Sequence, residues 1–148
     1  MYIEQIDLTP TELAAFDATN FDEELAMTED EWIKVLATGI VKIWVARDDS
    51  TSDCEIVGIC VLKTAKDINL WYCFSIAVAK QYRGQGMAKK LYRAAIENEI
   101  PFGKIQAHCE IDNIASIHLH QALGFKSTQY VNDFYGEYND AILWERER

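Results

Sequence analysis

One stretch constrains this chain more than any other: a strand that runs into a two-glycine turn and straight on into a helix. Asn69 to Val78 is aromatic and β-branched, which predicts a strand. Arg83-Gly84-Gln85-Gly86 supplies a turn, and Met87, Leu91, Ala94 and Ala95 then recur at the spacing of one helical face, with Pro101 as the stop. The turn carries chemistry as well as direction. Amides at the start of a helix have no intrahelical partner and sit at its positive end, which makes a seat for phosphate oxygens. Gly84 and Gly86 allow close backbone approach because neither has a Cβ. Lys80, Arg83, Lys89 and Lys90 add positive charge around the same point. No Gly-Lys-Ser/Thr follows, so this is not a Walker A loop, and the third glycine and ribose-binding acid of a dinucleotide fingerprint are missing.

The rest of the sequence extends the same mixed α/β pattern. Tyr2 to Ile6 alternates like a short strand. Thr9-Pro10 opens a helix to about Thr19, and Thr28-Glu29-Asp30-Glu31 fits a capping box for a second helix to about Ala37. Ile40 to Ala46 and Glu55 to Leu62 read as strands joined by a polar hairpin loop, Arg47 to Asp53. Lys104 to Ile111 is a strand, Ile114 to Leu123 a helix ended by Gly124, and Lys126 to Val131 with Ala141 to Arg146 a closing pair. The predicted order is β-α-α-β-β-β-α-β-α-β-β, and 148 residues without repeat or linker form one domain, 1–148.

Composition removes several classes of function. A chain that is 49% hydrophobic and 11% aromatic is not disordered. Its longest apolar run, Ile56 to Leu62, is too short to span a bilayer, and no secretory signal is visible at the N-terminus, so the expected location is cytoplasmic with no membrane partner. Cys54, Cys60, Cys73 and Cys109 have no metal or redox spacing, and three of them lie in strand-like stretches as core thiols. Formal charge is −10, unevenly placed. Residues 1–33 hold ten acids and no Lys or Arg, while residues 68–96 hold five bases and no acid. Nucleic acid is a poor partner for so acidic a chain. A small phosphorylated ligand at the basic window remains open, as does an acidic field that draws a cation.

A second segment, Asn113 to Phe125, combines an N-cap asparagine with the C-terminal glycine Gly124. His118 and His120 are two positions apart, roughly 200° around a helix, so they cannot clamp one ion, and no His-Glu-x-x-His occurs elsewhere. No metal is expected.

Together the two segments resemble the signatures of the GNAT superfamily of acyl-CoA-dependent N-acetyltransferases. Arg83-Gly-Gln-Gly86-Met-Ala88 is similar to its Arg/Gln-x-x-Gly-x-Gly/Ala motif, with Ile76-Ala77-Val78 as the preceding strand, and Asn113 to Phe125 resembles Asn-x-x-Ala/Ser-Ile-x-Leu-Tyr-x-x-Leu-Gly-Phe. The resemblance implies a GNAT-like fold with acetyl-CoA as acyl donor. Ile76 to Val78 would pair with the pantetheine arm, and the Val78 amide would meet the thioester carbonyl. Residues Arg83, Gly84, Gln85, Gly86, Met87 and Ala88 would wrap the pyrophosphate, and Asn113 would bond the pantetheine. His120 stands where most members carry the tyrosine that protonates the leaving thiolate. Some phosphinothricin-type members resemble this chain there, and Tyr135 and Tyr138 are reserves for the role.

An alkyl ammonium with a pKa near 10 must lose a proton before it can attack. His108 and Glu110 share one face of a strand, because strand side chains repeat every two residues. Either is a candidate base, and in some relatives the base lies five residues before the motif asparagine, the position of His108 here. An unpaired amide on a splayed strand would hold the oxyanion, and transfer would be direct, with no acetyl-enzyme. The acidic, aromatic stretch Asp17 to Glu31, with Phe16, Phe21 and Trp32, stands where the resemblance places the acceptor site, which implies a small cationic amine as acceptor. A peptide or protein amine, a non-catalytic CoA-binding sensor and a protein-interaction domain are the alternatives. The closing strands offer an edge at which a homodimer would pair.

Overall fold

Capping chemistry sets the helix starts. In the computed structural model, which describes residues 1–65 and 69–148, Thr9 and Glu12 form a reciprocal box at the start of α1 (Pro10–Asn20), with bonds of 3.2 and 2.8 Å. Thr28 and Glu31 do the same at 3.3 and 2.7 Å for α2 (Glu29–Leu36). Asn113 caps α4 (Ile114–Ala122) through the Ser116 amide at 3.1 Å. Helix α3 (Met87–Glu99) differs: Gly86 stands at its N-cap in the left-handed region, and no side chain caps it.

Between the helices run β1 (Tyr2–Gln5), β2 (Ile40–Asp48), β3 (Glu55–Thr64), β4 (Leu70–Val78), β5 (Lys104–Glu110), β6 (Lys126–Val131) and β7 (Ala141–Glu147). A single 3-10 turn, Lys80–Tyr82, links β4 to α3. The strands form one sheet in the order β1-β2-β3-β4-β5-β7-β6. Hairpin-linked neighbours are antiparallel, and the α3 crossover makes β4 and β5 parallel. The element order is the expected one. Strands β2 and β3 each extend two residues beyond the expectation: Arg47 and Asp48 pair with Ile56 and Glu55 across a bulge, and Lys63 and Thr64 pair with Val41 and Ile40.

Strand β3 explains its own apolar sequence. Ile59 and Val61 pack beneath α1 and α2 with Leu13, Trp32 and Val45, while Cys60 and Leu62 face α3 with Leu91, Tyr92 and Ile96. A strand covered on both faces has no reason to alternate. Cys60, Cys73 and Cys109 are buried, and Cys54 lies half-buried in the β2–β3 turn. At the far edge β6 is exposed along nearly its whole length. No helix among the described residues is long and apolar enough to cross a membrane.

One buried charge ties the α1–α2 layer together. Asp17, 6% exposed, accepts from the Met27 amide at 3.1 Å and from Trp32 Nε1 at 3.0 Å. The acidic stretch that begins at Asp17 predicts a field for the substrate, yet the Asp17 carboxylate is spent inside the protein. Truncating it leaves the buried Trp32 indole N–H and the half-buried Met27 amide without that acceptor. Asp17→Ala is therefore expected to lower the unfolding free energy by about 2–4 kcal/mol in urea denaturation, with Asp17→Asn losing less because an acceptor remains.

The feature that makes a site is a defect in β4. Cys73 pairs with Leu62 and Ser75 with Val61, so Phe74 is an extra residue without a partner. A bulge bends its strand and interrupts pairing. Parallel pairing with β5 runs from Leu70–Lys104 to Cys73–Ala107 and goes no further. Beyond it β5 stays with β7 through Glu110, and β4 diverges. The sheet opens into a wedge.

Candidate active site

Two cavities meet at that wedge. The larger, about 560 Å³, is a groove lined by Ile76, Ala77 and Val78 of β4, by Arg83, Gly84, Gly86, Met87, Ala88 and Lys89 of the turn and α3, and by Asn113, Ser116 and His118 of α4. The Ala79 amide bonds Val57 O at 2.8 Å. Because alternate residues of an antiparallel strand pair with the same neighbour, the Ile76 and Val78 amides turn the other way, into the wedge. Gly84 and Gly86 have φ of +75° and +76°, and a Cβ on either would meet nothing within 4 Å. Their backbone is thus open to a ligand, at a helix start that no side chain covers. These amides and the parted strand fit a pyrophosphate and an extended pantetheine arm.

Two residues of the turn are placed differently from the others. Gln85 does not line the groove, and its side chain bonds Gln81 O at 3.4 Å. The Arg83 guanidinium is committed to protein carbonyls, donating from Nε to Val78 O at 2.9 Å and from Nη2 to Asn20 O at 2.8 Å, over the Phe21 ring. Its backbone amide also bonds Lys80 O at 3.4 Å. Arg83 acts on the groove by holding the end of β4.

The smaller cavity, about 220 Å³, brings together His108, Glu110 and His120 with Ser75, Phe74 and Tyr135. It shares Ile76, Asn113 and Ser116 with the groove, so the two lie side by side where β4 leaves β5. Tyr138 is outside it and 91% exposed. His108 Nδ1 lies 2.8 Å from Tyr72 Oη, and its ring stacks on Phe134 at 4.1 Å and 14°. A separate hollow of about 450 Å³ beside the β3–β4 hairpin contains none of the residues that the sequence singled out. Among the described residues no cluster of three His, Cys, Asp or Glu side chains is placed to hold a metal ion.

Residues 7–125 match the family model described as "Acetyltransferase (GNAT) family". The chain belongs to the GNAT acetyltransferase family. No curated protein matches it significantly in sequence. Among solved structures it is similar to Arabidopsis thaliana NAA60 in complex with a bisubstrate analogue, at 21% identity over 99% of this chain and 98% of that one, with a TM-score of 0.76. It is also similar to an aminoglycoside 6'-N-acetyltransferase complexed with coenzyme A (16% identity, 99% and 97% covered, TM-score 0.77). A third is the spermidine/spermine N-acetyltransferase SpeG from Vibrio cholerae (16%, 99% and 95%, TM-score 0.73). Identities this low speak for the fold.

This GNAT enzyme is an N-acetyltransferase that takes acetyl-CoA as its acyl donor. Its wedge and uncapped helix start fit that donor, and the small cavity adjoins them. The protonation states of the cavity follow from burial and bonding. Desolvation pushes the His108 imidazole below its ordinary 6.5. His120 is 2% exposed among Tyr92, Phe125 and Trp144, and burial pushes it down as well, opposed by a bond to Ser116 O. That carbonyl, 2.7 Å from Nδ1, can only accept, so Nδ1 carries the proton and Nε2 is left as a buried lone pair without a partner. A neutral imidazole in this tautomer must take up a proton before it can give one, and burial opposes that. Tyr135 is protonated at neutral pH, its hydroxyl pushed up to about 12 mainly by burial.

The GNAT signatures pointed to His108 but not to Tyr72. Tyr72 pairs with Gln106 across the parallel β4–β5 contact, two residues short of His108. Sequence spacing contains no signal for that register.

Proposed function

We propose that this enzyme acetylates a primary amine carried on a small cationic molecule, with His108 as the base. The observation that carries this reading is the bond from Tyr72 to His108, whose ring lines the cavity that adjoins the groove. With Nδ1–H donated to Tyr72 Oη, the Nε2 lone pair is free to take the ammonium proton. The amine nitrogen then attacks the thioester carbonyl, and the oxyanion that forms is met by a β4 amide, Val78 or Ile76. The C–S bond breaks as the amide forms. Of the two protons the nitrogen loses, one leaves through His108 and the other ends on the thiolate. Tyr135, a protonated hydroxyl in the same cavity, is better suited than His120 to relay it, giving its own proton to the sulfur and taking up the one the nitrogen loses.

Charge supports a cationic acceptor. Asp22, Glu23 and Glu24 are exposed on the loop between α1 and α2. Phe134 and Tyr135 bring the β6–β7 loop, with Asp133 and Glu137, beside His108. Such a field raises the local concentration of cations. The exposed β6 edge is where a second copy would pair.

The test is CoA-thiol release from acetyl-CoA with a panel of spermidine, an aminoglycoside, a neutral amine and short peptides with free N-termini. Turnover of the polycations, with KM rising as salt is added, is the expected result. Turnover of peptides alone replaces the small cation by a peptide amine, and CoA binding without any turnover leaves a sensor.

A further inference from the structure

The acceptor side and the donor side of this molecule are joined through one helix turn. Asn20, the last residue of α1, is 5% exposed, although asparagine is a poor helix former. Its Oδ1 accepts from the Lys80 amide at 3.2 Å, at the start of the turn that leads to Gly84 and Gly86. Its backbone carbonyl accepts from Arg83, the residue that also holds Val78 O. Its Nδ2 donates back to Phe16 O at 2.9 Å, which fixes the side chain. One turn earlier on the same helix face, Asp17 holds Met27 and Trp32. Trp32 meets Phe74 edge-on at 5.7 Å, and Phe74 lines the small cavity. Hydrogen bonds at either end, the last turn of α1 between them and the Trp32–Phe74 ring contact thus link the turn to the wall of the small cavity.

We propose that Asn20 is a positioning residue that couples the two sites, so that seating the donor orders residues 21–27 and the acceptor wall they support. This rests on the reading of the turn as the CoA seat and of the small cavity as the acceptor site. A ligand that grips the amides of 84–89 holds Lys80 and Arg83 in place, and Asn20 passes that restraint to the end of α1. Residues 21–27 are the segment free to respond, since residues 22–25 are exposed and Leu25 is 62% so. Coupling of this kind is reciprocal: whatever orders the loop must also tighten CoA binding.

Amide hydrogen exchange on the full chain, with and without CoA, tests it. In the parent protein CoA is expected to slow exchange at 84–89 and also, by about tenfold, at 24–27, whose residues do not line the groove. In Asn20→Ala, CoA still protects 84–89 but no longer protects 24–27. Asn20→Asp, which keeps an acceptor for the Lys80 amide, restores most of the effect and guards against misreading an unstable variant. A merely structural asparagine would change exchange equally with and without CoA. Undiminished CoA-dependent protection of 24–27 in Asn20→Ala overturns the coupling, as does a parent in which CoA protects 84–89 alone. A parent in which CoA protects neither segment overturns the donor seat itself, and the coupling with it.

Discussion

His108→Ala is expected to lower kcat by about 10²- to 10⁴-fold, the range over which a positioned base contributes, while CoA binding measured by calorimetry stays as in the parent. The imidazole occupies one wall of the cavity and makes no contact with the Gly84–Gly86 turn, so removing it touches proton transfer and spares the donor. The pH profile carries the finer information. A base works only when neutral, and burial holds the His108 pKa below 6.5, so the acid limb of kcat/KM should have its midpoint below 6.5. In His108→Ala that limb disappears, and what slope remains follows the free amine of the substrate. Tyr72→Phe keeps the ring but removes the hydroxyl, which should cost about tenfold, the worth of one hydrogen bond, and move the limb. Glu110→Gln is the necessary companion. A parent-like rate in His108→Ala, with the limb lost in Glu110→Gln instead, would transfer the base to the carboxylate that shares the cavity.

The second large effect is expected at Gly86. Alanine there must hold φ near +76°, a conformation that costs an L-residue about 1–2 kcal/mol. Its methyl group also projects into the open space over the amides at the start of α3, where the phosphate oxygens must come. Relaxing the strain moves the Met87 and Ala88 amides, and filling the space keeps the ligand away from them. Losing one or two charge-assisted bonds weakens CoA by about 10- to 100-fold. Calorimetry of Gly86→Ala with CoA, beside a thermal melt that shows the variant folded, gives the answer. Parent-like affinity would mean that the ligand is gripped somewhere other than this turn.

Much of the molecule was readable along the chain, and the readable parts share a cause. The Thr9–Glu12 and Thr28–Glu31 boxes, the Asn113 cap and the Gly84–Gly86 turn join groups within four residues of one another, so residue type and spacing specify them. The donor motif belongs to this class, because its bonds are made by local backbone whose conformation the two glycines set. The small cavity does not. His108 and Glu110 could be placed on one face of a strand, but the partner of His108 lies 36 residues away and is selected by the register of β4 against β5.

The same distinction separates the other surprises. Arg83 looked like a cation for phosphate, and its fork is taken by carbonyls five and 63 residues distant. Asp17 looked like part of a substrate field, and burial under α2 gave it two internal donors. Tyr135 and Tyr138 were equal candidates, until a loop fold pointed one into the cavity and the other into solvent. Residue order alone established which elements form and where a helix starts on a glycine turn, since those depend on short-range sterics and capping. Which strands part, which side chains face one another and which protons they hold came from packing, because pairing register and burial are properties of the assembled sheet.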